Sequence, residues 1–330
     1  MIKASTSAYL LRLSPNGALF LGDSHPSQGA PMSCQIQKVP STPLKSILNF
    51  RDVGRTINIL LSSPLLNTGL LYRGARPDEA SYQDRTSLSE TYNIRSIIDL
   101  RSATEHLSQA NKRNAKISTS VAAPHTESST VEAIKIDGLR YHEINLNGGA
   151  FARGLLWRLS WFNLARVVSY VAMGYRIEAI RVLAEEVMVP RGLVGLGIDS
   201  LDYGTTEMRA IFAVFADAGN YPVLIHCTQG KDRTGLVVLL LLLLCKVPSN
   251  IINADYMASE RELVSERKER VREMKDAGFT EDFADCSPDW VEGVIGHIKR
   301  VYGGVENYLK RTGVDDEMQA RIRNILLEQR

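Results

Sequence analysis

The sequence predicts an α/β fold in which a mostly parallel central sheet is flanked by helices and carries a helical insertion. Three observations support this prediction. Short apolar runs alternate with helical stretches along the chain. Residues 94–100 are apolar and β-branched, as in a strand buried on both faces. Residues 221–226 lead directly into a glycine-containing turn and then into an apolar run. Strands separated by helices form largely parallel sheets.

Four strands are predicted, at residues 70–73, 94–100, 141–146 and 221–226. Helices are predicted over residues 153–187, over the charged stretch 255–275 and over the amphipathic C-terminal stretch 315–329. The polar residues 111–131 are interpreted as a surface loop. The apolar run 236–245 is about half the ~20 residues that cross a bilayer, so we expect a buried core helix there.

Composition excludes several classes of protein. The 330 residues carry 39 basic and 37 acidic side chains, a net charge of +2, and 44% of the residues are hydrophobic. These values disfavour disorder throughout the chain and nucleic acid as a partner. The four cysteines form no CxxC pair and the six histidines show no ligand spacing. We therefore expect a reduced, cytoplasmic protein with no disulfide scaffold, no bound metal and no cofactor.

Residues 1–43 are interpreted as a disordered N-terminal extension, because prolines and glycines interrupt any regular element. The stretch is rich in Ser and Thr and has no acidic residue before Asp23, so mitochondrial targeting is a less favoured alternative. Residues 44–330 are predicted to form one catalytic domain, with the helical insert at about 150–205.

The most informative stretch is residues 226–235, His-Cys-Thr-Gln-Gly-Lys-Asp-Arg-Thr-Gly. It connects the last predicted strand to the apolar helix, where free backbone N–H groups and the helix dipole favour an anion. The same field favours the nucleophilic thiolate of Cys227. Arg233 offers a planar fork of donors that suits two phosphoryl oxygens. Together these features predict covalent phosphoryl transfer, in which Cys227 attacks phosphorus and water then releases phosphate.

The other residues of this stretch receive supporting roles. Gly230 allows a tight turn around the anion. Thr234 places a hydroxyl near the sulfur, while Lys231 and Asp232 place charge at the rim. The predicted catalytic residues are Cys227, Arg233 and Asp232. The predicted substrate-binding residues are Thr228, Gln229, Gly230, Lys231, Thr234 and Gly235.

This loop resembles that of the cysteine-dependent protein tyrosine phosphatases, and HCxxGKDRTG is similar to an atypical branch shared by bacteria and fungi. Further motifs of that branch match residues 49–54 (NFRDVG), 71–74, 98–105, 254–256 and 304–309. The resemblance covers about residues 44–330. It implies a phosphatase-like fold and hydrolysis of phosphotyrosine or phosphoinositide. Gly74 replaces the usual serine of one motif. Two further departures are that the stretch at about 150–205 is larger than in the bacterial relatives, and that no acid lies between Glu143 and Glu178, where relatives carry a candidate general acid.

The general acid therefore has several candidates. Asp232 is the first, and its alternative role is to support the loop by pairing with Arg51 or Arg101. Asp199 and Asp202 are the others, in a glycine-flanked segment interpreted either as a mobile lid or, preferably, as a surface turn.

Three further residues are assigned structural roles. Asp99 and Arg101 are expected to form an ion pair with Glu105. His226 is interpreted as a buried, hydrogen-bonded histidine that shapes the loop, rather than as a base.

Residues 144–177 contain no acid, and aromatic residues separate their arginines. The stretch is interpreted as a lid that grips acidic substrates, as an interfacial membrane helix, or, preferably, as a helix pair packed on the domain with its arginines outward. The residues concerned are Arg153, Arg158, Arg166, Arg176, Trp157, Trp161 and Phe162.

The predicted function is hydrolysis of phosphate monoesters through a cysteinyl-phosphate, with phosphotyrosine proteins as substrates. Phosphoinositides are the alternative, because Lys231 adds a cation for a polyphosphorylated head group. Peripheral membrane contact would accompany that alternative. A phosphate-binding pseudophosphatase is disfavoured, since Cys227 and Arg233 are both present.

Overall fold

The structure is a computed structural model that describes residues 43–119 and 135–328, without the side chains of residues 113–119. The predicted disordered extension lies outside the described residues, apart from residue 43. So does the second part of the predicted loop at 111–131. The domain boundary at residue 44 stays a prediction.

Five strands form one mixed sheet in the order β1-β2-β5-β3-β4. The strands are β1 (Arg51–Asp52), β2 (Leu71–Gly74), β3 (Ser96–Asp99), β4 (Arg140–Glu143) and β5 (Val223–His226). Only β1 runs antiparallel to its neighbour, β2, and the other pairs are parallel. The α/β class, the mostly parallel sheet and all four predicted strands are confirmed. The two-residue β1 was not predicted.

The register of the central strands brings three loops together. Residue His226, at the end of β5, pairs with Gly74 of β2 on one side and with Asp99 of β3 on the other. The carboxyl ends of these parallel strands therefore lie at one edge of the sheet, where ligand sites of α/β proteins form. All residues of β2, β3 and β5 are buried, as their apolar runs predict.

Helices surround the sheet. They are α1 (Val53–Leu61), α2 (Tyr82–Thr86), α3 (Ala103–Thr119), α4 (Gly149–Leu156), α5 (Trp161–Ala172), α6 (Arg176–Leu183), α7 (Val189–Tyr203), α8 (Thr205–Phe215), α9 (Asp232–Leu244), α10 (Ser249–Glu262), α11 (Val264–Asp276), α12 (Trp290–His297), α13 (Val305–Thr312) and α14 (Asp316–Leu326). Short π-helical turns occur at Ser87–Thr91, Ala184–Met188 and Ile298–Tyr302, and 3₁₀ turns at Ala218–Asn220 and Glu281–Ala284.

Helix α9 is the centre of the main core. It is apolar on all sides, and residues 234–242 are all buried among β5, α7, α10 and α13. The predicted core helix is confirmed. Within the two described ranges, no helix combines the length and the hydropathy that crossing a bilayer requires.

The remaining helix predictions are confirmed with two changes. Residues 111–119 are helical rather than a loop, because α3 continues to Thr119. The charged stretch 255–275 is divided between α10 and α11, and α11 has no buried residue, as a solvated helix requires. The predicted insert at about 150–205 contains α4–α7, and the C-terminal helix begins after an Asp315 side chain that caps it.

Candidate active site

A five-residue loop, 227–231, connects β5 to α9. Cys227 follows the last strand residue directly and is 4% exposed. Backbone N–H groups of residues 228–233 donate no hydrogen bond to any other described residue. Because α9 begins at Asp232, the positive end of its dipole also faces this loop. The loop can therefore hold an anion beside the sulfur of Cys227.

The tight path of the loop depends on Gly230. Its φ is +66°, in the left-handed region, and a Cβ atom there would lie 2.0 Å from the carbonyl oxygen of Gly74. No side chain fits between the loop and the end of β2, so glycine is required at position 230, as predicted.

Arg233 is held by Glu105. Its NH1 donates to Glu105 Oε2 at 2.7 Å and to the Leu100 carbonyl at 3.2 Å, and its NH2 donates to Glu105 Oε1 at 2.5 Å. Thr228 Oγ1 also donates to Oε1, at 2.6 Å. Burial favours the neutral forms of both groups, but their mutual hydrogen bonds and charges outweigh it. The pKa of Glu105 is therefore lowered and that of Arg233 is raised.

The predicted ion pair of Glu105 with Asp99 and Arg101 is wrong. Arg101 instead donates to Asp99 and Asp78, with contacts of 2.5–3.2 Å. The reason is local, because Glu105 accepts from the backbone N–H and the hydroxyl of Ser102, both at 3.0 Å. This capping box at the start of α3 turns the carboxylate towards the catalytic loop. The pattern Ser-x-x-Glu is visible in the sequence and could have indicated this orientation.

Below the loop, Asp255 lies between two buried guanidinium groups. Its Oδ1 accepts from Arg51 Nε at 2.8 Å and its Oδ2 accepts from Arg73 NH1 at 2.5 Å. All three side chains are at most 4% exposed. Burial and the neighbouring charge of Arg51 lower the pKa of Arg73, while Asp255 opposes this effect. Two cations and one anion leave a net positive charge under the loop.

This buried cluster also holds the loop backbone. Arg73 NH2 donates to the carbonyls of Gly230 at 2.8 Å and Lys231 at 3.3 Å. Asn49 Nδ2 donates to the carbonyls of Gln229 at 3.0 Å and Gly230 at 3.1 Å. These side chains bind the carbonyl oxygens of the loop. The backbone N–H groups of the loop therefore remain free to bind an anion. The roles of Asn49 and Asp255 were not predicted, although both lie in motifs noted in the sequence.

Cys227 differs from the other described cysteines in its surroundings. A thiolate at Cys227 would interact favourably with the charges of Arg73 and Arg233. Burial raises the pKa of Cys245 and of Cys286 to about 12, so both remain thiols. Lys231 and Arg73 also act on Cys286, but burial outweighs their charges.

Asp232 is the first residue of α9, and its side chain is 41% exposed. Tyr256 donates its hydroxyl to Asp232 Oδ1 at 3.4 Å. The predicted pairing with Arg51 or Arg101 is wrong, because these arginines bind the carboxylates described above. The Asp232 carboxyl is thus partly exposed and lies beside Tyr256, and its part in catalysis stays a prediction.

Lys231 does not lie at the rim. Its side chain is 1% exposed, and Nζ donates to the carbonyls of Phe283 at 3.3 Å and Asp285 at 2.5 Å. Its Nζ also lies 3.8 Å from Asp232 Oδ2. The ammonium thus anchors the loop to the 3₁₀ turn Glu281–Ala284, which the sequence did not indicate because that turn is 50 residues away.

Thr234 is fully buried, and its Oγ1 has no hydrogen-bond partner among the described residues. It is therefore able to donate to an anion held by the loop. Gly235 packs closely against the Tyr256 ring, since a Cβ atom there would lie 3.3 Å from it. The predicted substrate contacts of Thr228, Gln229, Thr234 and Gly235 stay predictions.

His226 is buried and hydrogen-bonded, as predicted, while the exclusion of a role as base stays a prediction. The side chain is fully buried, its Nδ1 lies 3.1 Å from the Cys227 carbonyl oxygen, and its Nε2 lies 3.5 Å from Asp99 Oδ2. Burial lowers the pKa of His226 against the opposing charge of Asp99. We therefore assign it a neutral form that donates from Nδ1 to the carbonyl.

Asp199 and Asp202 belong to neither a lid nor a surface turn, because both lie in α7. Asp199 is fully buried and accepts from Arg158 and Arg191. Asp202 accepts from Tyr302 at 2.6 Å and lies 2.8 Å from His297 Nε2. Both carboxylates are therefore engaged in structural contacts away from the loop.

A shallow pocket adjoins the loop. Its lining consists of three cations, three acids, one further glutamine and two loop residues. These are, in that order, Arg76, Lys112 and Arg270; Glu266, Glu269 and Glu273; Gln109; and Thr228 and Gln229. Glu266 pairs with Arg76 at 3.4 Å, and Glu273 pairs with Lys112 and with Arg270. Over the described ranges, no three His, Cys, Asp or Glu side chains are grouped so as to hold a metal ion.

Comparison with known proteins gives a family match and several relatives. A model described as the tyrosine phosphatase family matches residues 42–328. The chain is similar to the triple specificity protein phosphatase PtpB of Mycobacterium tuberculosis, at 33% identity over 129 residues, which cover 33% of this chain and 45% of the relative. It is also similar to a tyrosine-protein phosphatase of Nostoc commune, at 30% identity over 126 residues, which cover 36% and 43%. The chain thus spans less than half the length of these two relatives.

Proposed function

The chain belongs to the tyrosine phosphatase family, and we propose that it hydrolyses phosphotyrosine in proteins through a cysteinyl-phosphate on Cys227. The observation that carries this proposal is the position of Cys227. It lies at the start of a loop with free backbone N–H groups, where a thiolate would interact with the charges of Arg73 and Arg233. A thiolate in this position is stabilised by both cations and by the dipole of α9.

The free edge of Arg233 suits a phosphoryl group. NH1 donates to Glu105 and to the Leu100 carbonyl, and NH2 donates to Glu105. Glu105 makes no contact with Nε. A guanidinium has five N–H donors. The Nε–H and the second NH2 hydrogen therefore remain for two oxygens of the phosphate, in a bidentate geometry.

In the first step the Cys227 thiolate attacks phosphorus, the S–P bond forms and the P–O bond to the substrate breaks. The loop N–H groups and Arg233 stabilise the charge on the three non-bridging oxygens. Asp232, whose side chain is partly exposed at the start of α9, gives its proton to the leaving phenolate oxygen.

In the second step water attacks phosphorus and the S–P bond breaks, which releases phosphate. Asp232 accepts the proton of the attacking water, and the buried hydroxyl of Thr234 donates to the departing thiolate. Replacing Asp232 by Asn tests this role. Aryl phosphates with poor leaving groups should be slowed more than those with good leaving groups, and equal losses on both would contradict it.

Phosphoinositide hydrolysis is the alternative with the same chemistry. Lys231, the cation first invoked for it, binds carbonyls in the interior. The observation that now favours it is the set of cations Arg76, Lys112 and Arg270 beside Thr228 and Gln229, although acids pair with each of them.

One panel separates these possibilities. Wild-type protein and Cys227→Ser are compared on phosphotyrosine peptides and on soluble phosphoinositides. We expect the wild type to hydrolyse the peptides faster and the variant to bind phosphate without turnover. Faster hydrolysis of phosphoinositides would favour the alternative. Phosphate binding without turnover by the wild type would identify a pseudophosphatase.

A further inference from the structure

Helices α5 and α6 form a hairpin that exposes an unusual number of large apolar side chains. The apolar hairpin is defined here as residues 157–183, which include α5, α6 and the turn between them. Trp157 is 87% exposed, Trp161 is 88% exposed and Phe162 is 73% exposed. Val168, Val171 and Met173 are each more than half exposed. Contiguous exposed apolar surface of this kind marks a site of interaction.

The exposed side chains form a second apolar face of α5, opposite its packed face. The packed face contains Asn163 and Val167, and Val167 meets Ala179 and Val182 of α6 in a small cluster. The outward face carries Trp161, Ala165, Val168 and Ala172, at i, i+4, i+7 and i+11. A helix that is apolar on both faces is normally covered on both.

The charges of this surface favour an anionic partner. The apolar hairpin contains four arginines and one acid, Glu178. One of the arginines, Arg158, binds the buried Asp199. Arg166 lies within the apolar hairpin, with its guanidinium carbon 5.9 Å from the centre of the Phe162 ring. Arg176 is exposed at the start of α6. Exposed Trp and Phe beside an excess of Arg over acids are the composition of helices that lie in the headgroup region of bilayers.

We propose that the apolar hairpin docks the protein on the surface of an anionic lipid bilayer. Trp157, Trp161 and Phe162 enter the interface between headgroups and acyl chains, and Arg166 and Arg176 contact lipid phosphates. The hairpin lies on the surface and does not cross the membrane. This proposal is independent of the reaction at Cys227.

Tryptophan fluorescence provides a direct test, because of the three tryptophans only Trp290 is buried. In the Trp157→Phe variant, Trp161 is the single exposed reporter. We expect a blue shift of its emission, and protection from aqueous quenchers, when vesicles of equimolar phosphatidylcholine and phosphatidylserine are added. The shift should be weaker with pure phosphatidylcholine and should decrease at high salt.

Vesicle co-sedimentation provides the second measurement. The triple substitution W157S/W161S/F162S should weaken partitioning by more than about tenfold, because it removes the apolar surface that enters the interface. Tyr82→Ser is the matched control, since Tyr82 is 87% exposed on α2, outside the apolar hairpin. It should partition like the wild type. Circular dichroism checks that each variant keeps its helices.

Two results would overturn the proposal. One is equal partitioning of the wild type and the triple variant, or no partitioning of either. The other is a blue shift that depends on protein concentration without vesicles, accompanied by a dimer in sedimentation velocity. That result would assign the apolar hairpin to contact between two copies of the chain.

Discussion

Glu105 binds Arg233 through both of its carboxylate oxygens, at 2.7 Å from NH1 and 2.5 Å from NH2. The same carboxylate accepts from Thr228 in the catalytic loop and from Ser102 at the start of α3. One side chain therefore connects the end of β3 to the loop after β5. It orients the guanidinium before any substrate is present, and such prior orientation lowers the barrier to reaction.

Replacing Glu105 by Gln tests this positioning role. The amide cannot accept from both nitrogens of Arg233, so we expect kcat/KM to fall by about 10–100-fold. The affinity for inorganic phosphate should fall as well, because Arg233 no longer presents its free edge. A merely structural role would lower the melting temperature and leave kcat and KM of the folded fraction unchanged. Glu105→Asp should recover part of the activity.

Replacing Asp255 by Asn tests the cluster below the loop. It leaves Arg51 and Arg73 buried without their carboxylate, and we expect a loss of about 3–5 kcal/mol in the free energy of unfolding, measured with urea. Glu317→Gln is the control, since Glu317 is 80% exposed and pairs with Arg321 on the surface. It should change stability little. Similar effects of the two substitutions would contradict the assignment.

Replacing Gly230 by Ala tests the close approach of the loop to β2. A Cβ atom would lie 2.0 Å from the Gly74 oxygen, so we expect a loss of both phosphate binding and stability. Gly138→Ala is the matched control. Gly138 has φ +81° but nothing within 4 Å of a Cβ position, so it measures the backbone strain alone, about 1–2 kcal/mol. Equal losses would show that the contact with Gly74 has no part.

The buried His226 makes stability depend on pH. Burial lowers its pKa, so below about pH 6.5 the unfolded chain binds a proton that the folded chain does not. Stability should therefore fall as the pH drops below 6.5, by at most about 1.4 kcal/mol per pH unit from this group. His226→Asn keeps a donor for the Cys227 carbonyl and should show a shallower decline. Urea unfolding at several pH values measures both, and identical slopes would contradict the assignment.

Much of the sheet and of the loop could be predicted, because both depend on local sequence. Short apolar runs identified β2–β5, and the order strand, loop and apolar helix placed Cys227 and Arg233. The partners of charged side chains were predicted less well. Glu105 was assigned to Arg101, and Lys231 was placed at the rim. For Lys231 the partner is set by packing between distant segments, because Nζ binds the carbonyl of Asp285. For Glu105 the local capping box with Ser102 sets the orientation of the carboxylate.

The segment around Asp199 is a second case in which packing between distant residues, rather than local sequence, determines the structure. Gly197 and Gly204 predicted a lid or a surface turn between them, but the helix continues to Tyr203. At Gly197 a Cβ atom would lie 3.0 Å from the Trp290 ring. Tertiary packing thus explains a glycine that local propensity reads as a helix breaker.

The central claim is that Cys227 forms a covalent bond to phosphorus during turnover. The most direct measurement is acid quenching of the protein during hydrolysis of a phosphotyrosine peptide, followed by mass spectrometry of the peptide that contains residue 227. We predict a phosphoryl group on Cys227 in the wild type, and neither this adduct nor turnover in Cys227→Ser. Undiminished hydrolysis by Cys227→Ser would contradict the account.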